Sequence, residues 1–156
     1  MTRRSIVALS LAFVAGAIVG HVAIPSTAAQ AQGHKQVFMT RLYTGADNQT
    51  HSEEVELKFT AGSGNDSFKL LPVTGASLGR AAGGRFSDWH VGPRRQYVIT
   101  LSGHGELEVA GGKKVEIGPG HINLVEDLTG KGHTTRVVGS DDRVTLTLPV
   151  ADSGGK

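Results

Sequence analysis

The sequence has no cysteine, a single tryptophan, two tyrosines and five prolines in 156 residues. Without thiols there is no disulfide framework and no thiolate metal centre, so any metal would be held by imidazole, carboxylate or neutral oxygen ligands. The G-x-S-x-G elbow, the H-E-x-x-H helix, the P-loop and the dinucleotide-binding glycine fingerprint are all missing, which leaves no serine nucleophile or nucleotide site to assign. A dominant charge is missing too. The formal net charge is +2, and Arg3 and Arg4 near the N-terminus account for it, leaving 14 basic and 14 acidic residues in the rest of the chain. A near-neutral domain gives no ground for a nucleic acid or an anionic membrane surface as partner.

What is present begins with a leader. Arg3 and Arg4 are followed by the apolar run Ile6 to Ile24 and then by Ala29-Gln30-Ala31, the order of a basic start, a hydrophobic centre and a small-residue cleavage site. Residues 1–31 are therefore expected to be an export signal that sends a periplasmic or secreted protein on its way. The alternative is an uncleaved anchor over residues 6–24, which would be the protein's one contact with a membrane. The length that remains is enough for one domain, expected over residues 32–150, with a polar tail over 151–156.

Glycine is abundant, at 22 residues, and no window in the domain has a helical period. Val37 to Tyr43, Val55 to Phe59, Phe68 to Val73, Arg95 to Leu101, Glu106 to Val109, Lys113 to Ile117, His121 to Val125, Thr134 to Val138 and Arg143 to Leu148 read as short strands. Thr74 to Gly84 reads as strand and loop, and Gly111-Gly112 as a tight turn. Many short strands joined by glycine-rich turns predict an all-β antiparallel sandwich or barrel.

One stretch gives that barrel a family. Gly84 to Gly103 places five residues between a glycine and His90, five between His90 and Gln96, and six between Gln96 and the closing glycine. This spacing resembles the first motif of the cupin superfamily, in which G, five residues, H-x-H, three residues, E, six residues and G follow one another. Gly92 stands where the second histidine belongs and Gln96 replaces the glutamate. The second motif is similar at Gly118-Pro119-Gly120 and again at His133, two residues beyond the family position. Glu126 stands at the proline position, Leu128 at the glycine and Val137 at the asparagine. The resemblance covers about Thr74 to Pro149 and implies a double-stranded β-helix, or jelly-roll barrel, of the small single-domain bacterial type with a degenerate metal motif.

Carried over residue by residue, the resemblance implies His90 and His133 as ligands of a divalent metal, with Gln96 able to add its amide oxygen. Asp88, two residues before His90, would share its strand face; Asp127 and Glu126 are candidates for a general acid or base. Oxygenase or isomerase chemistry is the family-level expectation if the protein is an enzyme. A metal-free binding module is the alternative, holding a small and possibly anionic ligand with Arg94 and Gln96 beside His90. Trp89 and Tyr97 alternate away from the interior and are expected to pack. His51, His104 and His121 are expected in surface loops or turns. A homodimer through the sheets is a further possibility.

Overall fold

The computed structural model describes residues 34–152, so the export-signal or anchor reading and most of the polar tail lie outside the described residues. The elements are β1 (Phe38–Thr44), β2 (Thr50–Glu56), β3 (Ser77–Ala81), β4 (Phe86–His90), β5 (Gln96–Ser102), β6 (His104–Glu108), β7 (Lys114–Glu116), β8 (Ile122–Glu126), β9 (His133–Val138) and β10 (Arg143–Pro149), with one 3-10 turn at Ala110–Gly112. Among them no helix is long and apolar enough to cross a membrane.

The strands form two sheets, of order β2-β1-β8-β5-β10-β3 and β4-β9-β6-β7. The last eight strands pair as a nest: β3 with β10, β4 with β9, β5 with β8 and β6 with β7, all antiparallel. This is one long hairpin with its tip at Ala110–Gly112. It is wound on itself so that β5 also pairs with β10 and β6 with β9. That winding is the double-stranded β-helix expected from the sequence. β1 and β2 extend the larger sheet, β1 running parallel to β8.

Period-two alternation gives each face its task. On the larger sheet, Met39, Tyr97 and Leu124 point outward and are buried with Leu57 and Val150, packed against Phe68, Leu70 and Leu148. Phe68 to Val73 is therefore a correction to the sequence reading. It belongs to no strand, its only ladder contact being the isolated bridge Val73–Val150, and its apolar side chains cover the sheet instead. The Leu71 N–H donates to the Tyr97 hydroxyl at 3.3 Å. Between the sheets, Leu42, Leu107, Val109 and Ile117 fill the side nearest β1, β6 and β7. The opposite side of the interior, toward β3 and β4, is lined by polar groups.

Candidate functional site

Nesting of the strands brings the two sequence motifs together. His90 ends β4, His133 begins β9, and they face each other as register partners with ring centroids 4.5 Å apart. Gln96 begins β5 opposite Val125 of β8, and the Gly92 N–H donates to the Asp127 carbonyl at 2.9 Å, tying the two connecting loops. The imidazole pair and Gln96 line a cavity of about 140 Å³ together with Asn123, Thr135 and Arg143. That is room for roughly five waters at liquid density, or for a small molecule well below drug size.

Each imidazole is anchored through Nδ1. The His133 Nδ1 lies 2.6 Å from Asp127 Oδ2, which also accepts the Thr50 hydroxyl at 3.0 Å. The His90 Nδ1 lies 2.6 Å from the Asp88 carbonyl oxygen. A carboxylate and a carbonyl can only accept, so Nδ1 carries the hydrogen in both rings. In the neutral state both Nε2 atoms therefore hold lone pairs, a matched pair of acceptors set by the surrounding protein.

The remaining sequence candidates separate. Asp127 is completely buried and is not among the residues lining the imidazole cavity; its Oδ2 holds His133 and Thr50 while its Oδ1 has no partner, so its carboxylate positions an imidazole. Glu126 is bound by Arg41 and Arg95 and also lies off the imidazole cavity, its carboxylate engaged in an ion-pair network. The Arg41 guanidinium is held above its ordinary pKa, first by Glu126 and then by Glu53. Arg94 is exposed and does not line the cavity, because the turn before β5 carries it outward. Asp88 does not share a face with His90: the β4–β9 register shifts between Ser87 and His90, and its carboxylate turns back to accept the Trp89 N–H at 2.8 Å. Gln96, His90 and His133 are where the sequence placed them.

Trp89 packs under the loop before β9, with the Lys131 ammonium 3.7 Å from its ring centroid. His104 is exposed, as expected, but His121 is half-buried, and its Nε2 has no partner. Burial, the largest cause, pushes the His121 pKa down; Glu54 opposes this and Arg143 adds to it. With the folded pKa below the unfolded one, acidification protonates the unfolded chain first. The stabilisation is thus complete above about pH 6.5 and is lost as the pH falls below it. His121→Gln is expected to flatten the fall in urea midpoint between pH 7.5 and pH 5, and an unchanged slope would remove His121 from the account.

Sequence reasoning missed Arg143, Asn123 and Thr135. Inward parity on β8, β9 and β10 was the available signal, but only the strand pairing shows which inward residues share a cavity.

The donor set is short for a resident divalent metal. It offers two imidazoles and one amide without a carboxylate, and among the described residues no three His, Cys, Asp or Glu side chains form a metal-holding group. The place of the family's second histidine is filled: a Cβ added at Gly92 would stand 2.5 Å from Val125 Cγ1. Arg143 adds a buried cation to the same cavity.

The nested pairing of β3 to β10 defines a cupin-type double-stranded β-helix, with the cavity at the loop ends of β4, β5, β8 and β9. Similar solved structures include a double-stranded β-helix domain protein from Klebsiella pneumoniae, 18% identical over 51% of this chain and 69% of that one, with a TM-score of 0.40. The cupin domain of Cnp3 from Schizosaccharomyces pombe is 16% identical, covers 76% of this chain and 86% of that one, and has a TM-score of 0.41. An RmlC-like cupin protein from Desulfovibrio desulfuricans is 14% identical over 73% and 84%, with a TM-score of 0.36. No family model matches the chain, and no curated protein matches it. The fold assignment accordingly stands on the strand pairing.

Proposed function

We propose that this protein binds a small organic molecule in the barrel through the paired Nε2 atoms of His90 and His133, without a resident metal, as an exported binding module. The observation that supports it is the double anchoring of Nδ1, at 2.6 Å in each ring, which turns two acceptors of fixed direction toward one cavity. His90 is exposed and neither Nε2 is a buried atom without a partner, so water serves both in the free protein, but two acceptors so placed call for a donor between them. A ligand N–H or O–H meets that need, with the Gln96 amide as an adaptable third contact. The order of a basic start, an apolar run and Ala29-Gln30-Ala31 supports a place outside the cytoplasm.

A divalent cation is the second reading, favoured by the same two lone pairs and by the family resemblance. His90, His133 and Gln96 would hold it, and it would supply Lewis-acid polarisation of an oxygen ligand. Their neutral donor set implies weak, exchangeable occupancy.

A screen of amide, alcohol and carboxylate fragments of about eight heavy atoms or fewer, read by thermal shift and calorimetry, tests the reading. Fragments that bind with and without chelator are expected to lose about 3- to 10-fold in affinity in His90→Ala and in His133→Ala, the cost of one lost hydrogen bond. Binding that vanishes with chelator and returns with zinc or manganese would select the metal reading. Binding untouched by either substitution would place the ligand elsewhere.

A further inference from the structure

We propose that the chamber between β3, β4, β9 and β10 is an oxyanion-binding site, in which Arg143 supplies a buried cation, Arg80 and Arg85 flank it, and a small phosphate or carboxylate group is the ligand. The chamber has a volume of about 180 Å³ and is separate from the imidazole cavity, sharing with it only Arg143 and Thr135. That volume corresponds to roughly six waters, enough for one such group with its solvation.

Arg143 carries the inference. It is 8% exposed, and its guanidinium donates from Nε at 3.2 Å and from Nη2 at 2.7 Å to one and the same hydroxyl, that of Thr100. A hydroxyl satisfies hydrogen bonds but returns no charge. Among the described residues no carboxylate lies within ion-pair distance of Arg143. Burial pushes its pKa down, with no acidic neighbour opposing the shift. A buried charge in proteins is ordinarily paired, because desolvating it alone is expensive. Here no counter-charge is found among the described residues, while Arg143 lines a chamber.

The lining agrees. Arg80 and Arg85 are exposed residues of the same chamber, and among the described residues the sole acidic contact of the two is Arg80 with Asp142 at 3.9 Å. Ser87, Thr135 and Thr145 add hydroxyl donors, and no aspartate or glutamate lines the chamber. Arg80, Arg85 and Arg143 bring three cationic side chains to one chamber, and planar N–H forks match the oxygens of phosphate and carboxylate. The anion site is thus carried by Arg143, not by the Arg94 that the sequence suggested. It does not depend on what the imidazole pair holds.

Calorimetric titration of the full-length protein at low ionic strength, with inorganic phosphate, malonate and uncharged malonamide as probes, tests this. At least one anion is expected to bind saturably with a Kd of about 1 mM or tighter, weakening as salt is raised, while malonamide does not bind. The tighter of the two anions tells a phosphoryl from a carboxyl ligand. Arg143→Met is expected to weaken binding at least about 10-fold and the exposed Arg85→Gln about threefold, with His90→Ala leaving the constant within about twofold. Three results overturn the proposal: no saturable binding of either anion up to about 10 mM, wild-type affinity in Arg143→Met (or, should that variant not fold, in Arg85→Gln), or loss of anion binding in His90→Ala, which would move the anion to the imidazoles.

Discussion

Asp127→Ala is expected to lower stability by about 2 to 5 kcal/mol, a fall in Tm of about 10 °C or more for a domain of this size. The carboxylate is fully buried and accepts both the His133 Nδ1–H at 2.6 Å and the Thr50 hydroxyl at 3.0 Å. Truncation leaves two buried donors without an acceptor and a void beside them. The effect also reaches the site: without Asp127 nothing fixes the hydrogen on Nδ1, so Nε2 loses its lone-pair character. Asp127→Asn keeps the volume and should fall between. A thermal melt within about 1 °C of wild type would show that the Asp127–His133–Thr50 cluster does not support the fold.

Gly132→Ala is the second large effect, expected at about 2 to 4 kcal/mol. Gly132 has φ +78°, in the left-handed region, and a Cβ there would stand 2.0 Å from the His90 carbonyl oxygen. Strain and a backbone collision act together, and the obstacle is main chain, which cannot rotate away. The expected consequence is a lower Tm joined to a displaced His90, hence loss of fragment binding beyond what the melt explains. The loop containing Gly130-Lys131-Gly132 is two residues longer than the motif spacing, which moves the second-motif histidine to position 133. Its close approach to β4 puts His133 opposite His90 despite the extra length. A Gly132→Ala protein as stable as wild type would mean that the loop can leave β4 freely.

Much of this was legible before the fold. The spacing from Gly84 to Gly103 located β4 and β5 and put His90 and Gln96 at the cavity, because a nested hairpin must bring those strand ends to one place. The displaced His133 was found because imidazole at a loop end is a strong signal even when its spacing slips. Three features were beyond reach. Asp88 was read with His90 by strict alternation, and the register shift after Ser87 breaks that alternation. Asp127 and Glu126 are adjacent acids with opposite environments, one buried under His133 and the other clasped by two arginines, and sequence adjacency cannot tell them apart. Arg143 lies 53 residues beyond His90, and only the pairing of β10 with β3 and β5 carries it into the interior.

The measurement closest to the central claim is the imidazole ¹⁵N spectrum of the full-length protein at neutral pH, before and after a fragment binds. The account predicts that neutral His90 and His133 both carry their hydrogen on Nδ1, and that one bound fragment shifts both Nε2 resonances together while those of His51 and His104 stay in place. Hydrogen on Nε2 of either ring, or a fragment that moves one of the two Nε2 signals alone, would contradict it.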